Sequence, residues 1–133
     1  MSISPVRAEN SPTLRVLVVD DEFLIRWSIA ETLESAGHRV LQAETRRDAL
    51  RILTDASTPI EAVVLDDRLP DSNDLTLLSH VRALAPERPV ILMSAYGSTD
   101  MAQGAKDLGA YEVLNKPFDL QRLHSLIRQA CGQ

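Results

Sequence analysis

The feature that most constrains this chain is a change of hydrophobic period that recurs five times. Short runs rich in β-branched residues read as strands: Leu14 to Val19, Arg39 to Ala43, Ile60 to Leu65, Pro89 to Met93 and Tyr111 to Leu114. Apolar residues at helical spacing follow them: Ile25, Ile29, Leu33 and Ala36 after the first run, then Ala49, Ile52 and Leu53 after the second. Leu75, Leu78, Val81 and Leu84 follow the third, and Leu120, Leu123, Ile127 and Ala130 the fifth. Gly37 closes the first helix, Thr45 and Asp119 stand as N-caps, and Pro86 stops the third helix. Near-continuous apolar strands, each followed by a helix, need cover on both faces. The pattern therefore predicts a doubly wound α/β domain with a parallel sheet. The units differ in sequence, so they are not internal repeats. The fourth helix, 98–108, is the weakest, with Gly104 in its middle and mainly alanines on its apolar side. A mid-helix Gly costs about 1 kcal/mol relative to Ala. It reads either as a poorly made surface helix or as a segment kept marginal so that it can move.

A chain of 133 residues with 44% hydrophobic residues can bury one core, and its net charge of −5 argues against direct nucleic-acid binding, which needs clustered Lys and Arg. The single Cys131 excludes an intrachain disulfide and suits a reducing compartment. No apolar run approaches the ~20 residues that span a bilayer, and Met1 to Thr13 lacks the apolar stretch of a secretory signal. The expectation is a cytoplasmic domain over 14–130, with a flexible leader at 1–13, a short tail at 131–133 and no membrane partner.

In open α/β sheets functional groups gather at the carboxyl ends of the strands. Asp20 and Asp21 follow the first strand and Asp66 the third. Taken singly, an Asp after a strand often caps the next helix. If strands one and three are neighbours, the carboxylates converge and repel unless a cation compensates, and a hard ion with oxygen ligands, above all Mg²⁺, fits. Ser94 ends the fourth strand with a hydroxyl and Lys116 the fifth with an ammonium. A Lys there is ordinarily a solvated charge. Pro117 suits a helix start, but a cis Lys116–Pro117 bond would instead aim the amine inward.

The chain resembles a response-regulator receiver domain of two-component signalling over about residues 14–130. The residues that carry the resemblance are Asp20-Asp21-Glu22, Asp66-Asp67-Arg68-Leu69-Pro70, Met93-Ser94-Ala95 and Lys116-Pro117-Phe118, in this order. The wording of Asp66 to Leu78, Ala95-Tyr96-Gly97 and Leu108-Gly109-Ala110 is similar to receivers that precede transcriptional output domains. The resemblance implies a flavodoxin-like sheet of five strands in order 2-1-3-4-5 with five helices. It implies Asp66 as phosphoacceptor, with Asp67 pointed to the other side by strand alternation. It implies Mg²⁺ (or Mn²⁺) bound by Asp21, Asp66 and the backbone carbonyl of Arg68, with Asp20 acting mainly through water. Lys116 and Ser94 would meet phosphoryl oxygens. The implied partners are a sensor histidine kinase or histidine phosphotransfer protein, an output domain or effector, and a second copy on activation. Movement of Ser94 would shift the loop 95–99, including Ala95 and Tyr96, and bias the fourth helix.

Three departures from the family pattern stand out. Val113 occupies the position where the family has a rotating Tyr or Phe, and Tyr111 shares its strand face by parity. Asp74 replaces the usual Gly four residues after Pro70, which suggests an early start to the third helix from a Ser72 or Asn73 cap. Arg68 and Tyr96 flank the site and are expected to shield an acyl phosphate for minutes or longer. Elsewhere, His38, His80 and His124 are expected at separate surface or boundary positions. Trp27 is expected at a boundary, with a kinase contact as the alternative, and Arg46, Arg47 and Arg51 on a solvated face.

Rival functions fit less well. An aspartyl-phosphate phosphohydrolase would have two Asp separated by one residue after the first strand, plus a cap domain. A flavin carrier would need a phosphate loop where Asp20-Asp21-Glu22 repels phosphate. A pseudo-receiver that binds partners without phosphorylation is the remaining alternative. The sequence ends shortly after the fifth helix, so the expectation is a stand-alone receiver or a piece of a larger regulator.

Overall fold

The computed structural model describes residues 13–72, 74–95 and 99–133. The leader at 1–12, the Asn73 cap candidate, Tyr96 and Gly97 and the predicted helix start at Ser98 lie outside the described residues. The elements in chain order are β1 (Arg15–Val19), α1 (Phe23–Ser35), β2 (Arg39–Ala43), α2 (Arg46–Thr54), β3 (Ala62–Asp66), α3 (Thr76–Leu84), β4 (Val90–Ser94), α4 (Thr99–Asp107), β5 (Glu112–Asn115) and α5 (Leu120–Ala130). The five strands form one parallel sheet in the order β2-β1-β3-β4-β5. This is the predicted doubly wound architecture. Among the described residues no helix is long and apolar enough to cross a membrane.

The pleat sorts the side chains into two layers. Leu17, Val19, Val63, Leu65, Val90 and Leu92 face Ala49, Leu53, Leu77, Leu78, Val81 and Ala105 of α2, α3 and α4. Val16, Val18, Val64, Ile91, Met93 and Leu114 face Ile29 and Leu33 of α1 and Leu123, Leu126 and Ile127 of α5. Every strand of the inner trio β1, β3 and β4 is therefore apolar on both sides, which is why these runs show no polar alternation.

Local signals act as expected at several ends. Thr45 caps α2 by accepting from the Asp48 N–H at 3.1 Å, and Asp119 caps α5 by accepting from the Gln121 N–H at 2.9 Å. Gly37 takes a φ of +95° just past α1, a conformation that side-chain-bearing residues avoid.

Other expectations need correction. Helix α3 starts at Thr76, not near Ser72, and Asp74 accepts from both the Thr76 N–H and the Thr76 hydroxyl. Ser72 is instead engaged with Leu69 through backbone bonds of 2.7 and 3.2 Å. Leu77, not Leu84, occupies the buried side of α3, and Leu84 is exposed. Ile60 is buried but lies before β3; its burial, rather than ladder pairing, accounts for its apolar character. His38 and His124 are not separate: His38 is buried and its Nε2 lies 3.3 Å from that of His124. His80 is exposed, with Nδ1 3.2 Å from an Arg46 nitrogen.

Candidate functional site

The site is built where β1, β3, β4 and β5 end together. The β1·β3 register pairs Val19 with Leu65, so Asp20 and Asp66 leave adjacent strands side by side. Both continue the pleat of the α1/α5 face, with Val16 and Val18 before Asp20 and Ala62 and Val64 before Asp66. Lys116 follows Leu114 on the same face, and its ammonium crosses to both carboxylates. It donates to Asp20 Oδ2 at 2.9 Å and to Asp66 Oδ2 at 3.2 Å, with a longer contact of 3.5 Å to Glu22. The Lys116–Pro117 peptide is cis. Asp20 is fully buried and also accepts from the Glu22 N–H at 2.8 Å, while Asp21 is exposed. Asp66 is 6% exposed and accepts from the Arg68 N–H at 3.3 Å.

The electrostatics follow from crowding. Burial, then the charge of Asp20, raises the Asp66 carboxyl to about 7, although Lys116 pulls the other way. Burial alone would lower the Lys116 ammonium, but the hydrogen bond and charge of Asp20, followed by those of Asp66, raise it overall. One oxygen from each of Asp20, Asp21 and Asp66 falls within 4.8 Å of the others. Lys116 alone does not return Asp66 to the ordinary carboxylate range. A second, divalent cation with oxygen preference matches this donor set, so the residues present fit Mg²⁺ or Mn²⁺.

Of the remaining predicted residues, Ala95 is exposed just after β4 and Val113 is half-buried against the α2–α4 layer. Tyr111 cannot take the aromatic's place. It bonds to Val90 at the far end of β4, four residues or ~13 Å from Ser94, and its ring is exposed. Asp67 points away from Asp66, as alternation predicts. Ser94 is fully buried, and its hydroxyl donates to Asp67 Oδ2 at 2.8 Å. Among the described residues, Asp67 Oδ1 is buried without a hydrogen-bond partner.

Arg26 is a supporting residue that sequence reasoning missed. Its buried guanidinium donates to the Asp20 carbonyl at 2.8 Å and to Gln42 at 3.0 Å, with Glu44 at 3.4 Å, and so fixes the backbone of the acidic turn. The signal was its position three and four residues before buried Ile29 and Ala30. Beside the site, Leu24, Ile25, Ala95, Pro117, Phe118 and Leu120 line a mostly apolar groove of about 530 Å³. Phe23, Leu24 and Trp27 of α1 are exposed, so Trp27 does not take the boundary packing position expected of it.

A five-stranded parallel sheet thus brings an acidic trio and a lysine together at its strand ends. Residues 16–128 match the response regulator receiver domain family. The chain belongs to that family of two-component signalling domains. It is 38% identical over 120 residues to a putative NtrX-like response regulator of Rickettsia felis, covering 89% of this chain and 25% of that protein. It is 31% identical to sporulation initiation phosphotransferase F of Bacillus subtilis, covering 86% of this chain and 91% of that protein. The beryllofluoride-activated NtrC4 receiver domain dimer superposes with a TM-score of 0.79 at 36% identity, covering 87% of this chain and 94% of that one. The chain thus spans about a quarter of the NtrX-like regulator and nearly all of the phosphotransferase.

Proposed function

We propose that this chain is a working phosphoacceptor: a phosphoryl group passes from the phosphohistidine of a sensor histidine kinase or histidine phosphotransfer protein to Asp66. The observation that carries this reading is the Lys116 ammonium shared between the buried Asp20 and Asp66 carboxylates. A merely structural ion pair would not need a third carboxylate, Asp21, on the same spot. In the reaction an Asp66 oxygen attacks phosphorus, the P–N bond breaks, and the imidazole leaves with the electron pair and takes up a proton. The nucleophile must be ionised, and Lys116 favours that form. Once the acyl phosphate exists, Asp66 has lost its charge and Lys116 is released to pair with a phosphoryl oxygen. Asp20, Asp21, Asp66 and the Arg68 carbonyl would hold Mg²⁺ or Mn²⁺, whose bound charge would offset that of the phosphoryl oxygens at a loose transition state. Ser94 would hydrogen-bond another phosphoryl oxygen, and Arg68 and Tyr96 would screen the product from water.

Helix α4 suits the moving part. It buries fully only Ala105, carries Gly104 in its centre and begins five residues after Ser94. The α4–β5–α5 surface is accordingly the output face, read by an effector, an output domain of transcriptional type or a second copy. The dimeric NtrC4 receiver supports the last option. The apolar groove beside Lys116, with Leu24 and Phe118, is where the phosphohistidine donor docks. Residues 14–130 act as the receiver unit, with 1–13 and 131–133 outside it.

Mass spectrometry after incubation with acetyl phosphate and Mg²⁺ tests the reading. The expected result is a gain of one phosphate that disappears in Asp66→Asn. Undiminished acid-labile labelling of Asp66→Asn would sink the assignment of Asp66. No gain in the unsubstituted protein would favour a pseudo-receiver.

A further inference from the structure

The β3·β4 register pairs Asp66 with Met93, and the next step along both strands sets Asp67 beside Ser94. Parity places this pair on the α2–α4 side of the sheet, in line with Val63 and Leu65 on one strand and Val90 and Leu92 on the other. Asp66, Asp20 and Lys116 lie on the opposite side. The Ser94 hydroxyl is therefore committed, at 2.8 Å, to a carboxylate facing away from the phosphoacceptor. The backbone on both sides of the pair is anchored: the Asp67 N–H donates to the Met93 carbonyl at 3.0 Å and the Lys116 N–H to the Ser94 carbonyl at 2.8 Å. For the hydroxyl to reach a phosphoryl group on Asp66, the Ser94–Asp67 hydrogen bond has to break.

We infer that Asp67 is a positioning residue that latches Ser94 in the resting state and sets how readily the phosphorylated state forms. This rests on the phosphoacceptor reading above. A hydroxyl bonded to a carboxylate is held more strongly than one bonded to a neutral acceptor. A phosphoryl group on Asp66 must therefore compete with Asp67 for the same proton donor. The buried Asp67 Oδ1, without a partner among the described residues, gains nothing to offset the loss of Ser94 when the latch opens. The latch also sits in the layer that contains α4, so its release is felt where the proposed output face begins.

The test is a double-mutant cycle read by beryllofluoride binding in the presence of Mg²⁺, measured by calorimetry on the whole chain. Asp67→Ala removes the acceptor and should tighten beryllofluoride binding about tenfold, the scale of a charge-assisted hydrogen bond. Asp67→Asn keeps an acceptor but no charge and should fall between the two. In a Ser94→Ala background, Asp67→Ala should then change nothing. A gain that is as large in Asn as in Ala, and that persists without Ser94, would mean simple relief of charge repulsion and would overturn the latch. Unchanged or weaker binding by Asp67→Ala would overturn it as well. If the unsubstituted protein binds no beryllofluoride and takes up no phosphate, the phosphoacceptor reading falls and the latch with it. Normal binding without Asp67–Ser94 coupling removes the latch alone.

Discussion

The Asp66 carboxyl is shaped by two neighbours that sequence separates widely, Asp20 and Lys116, and by the Arg68 N–H two residues on. The raised pKa of its carboxyl has a consequence for stability. Between about pH 4 and about pH 7 the folded protein holds a proton on Asp66 that the unfolded chain has lost, so stability falls as pH rises through that window. In divalent-free buffer, Asp66→Asn should therefore raise the urea midpoint at about pH 8 but have little effect at about pH 4. Mg²⁺ should stabilise the unsubstituted protein at the higher pH and Asp66→Asn much less, since a ligand stabilises only the state that binds it. A Mg²⁺ effect of equal size in both would contradict the role of Asp66 in the cation site. The acidic residues themselves were legible in the sequence. The Ser94–Asp67 bond was not, because it depends on a register between β3 and β4 that no local pattern encodes.

At the scale of elements, the start of β2 and the middle of α5 are joined by the His38–His124 pair. The Leu14 N–H donates to His38 Nδ1 at 3.1 Å, which leaves the His38 proton on Nε2, facing His124 Nε2 as its acceptor. A second proton on either ring would set N–H against N–H. Burial lowers both imidazoles; the charges of His124 and Arg128 add to this at His38 and Glu61 opposes, while Arg128 adds to it at His124. The stability that comes from this pair is present above the ordinary histidine range near 6.5 and is lost as pH falls below it. His124→Gln offers an acceptor that does not titrate, so its thermal midpoint should fall less than that of the unsubstituted protein between about pH 7 and about pH 5.5. Equal acid sensitivity would place the titrating groups elsewhere. Helix caps such as Thr45 and Asp119 were readable from residue type alone, because they act within three residues. The start of α3 was not: the Ser72 hydroxyl is buried without a partner among the described residues, and Asp74 accepts from the Thr76 N–H instead.

Over the whole molecule, the two apolar layers share the same strands, so neither can melt while the other keeps its sheet. Leu92→Ala opens the α2–α4 layer and Ile127→Ala the α1/α5 layer. Each should cost about 2–5 kcal/mol and shift one common denaturation curve. Circular dichroism and Trp27 fluorescence should report the same midpoint for each variant. Two separated transitions would show that the layers unfold independently. The acidity of the chain also acquires a place at this scale: Asp20, Asp21 and Asp66 concentrate part of the −5 net charge at one end of the sheet, against a single lysine.

The alternation of periods by itself determined the α/β class, the five strand–helix units and the end of the sheet where chemistry collects. That information is local: a residue's polarity two or four places from its neighbour dictates which side is buried. Only the tertiary structure decided which carboxylates meet Lys116, that Arg26 pins the Asp20 turn, that two distant histidines touch, and that Ser94 is held by Asp67. All but the Arg26 contact join residues at least 27 positions apart, at or beside different strands and helices. Their distances are set by sheet order and register, and these follow from the packing of all five units together.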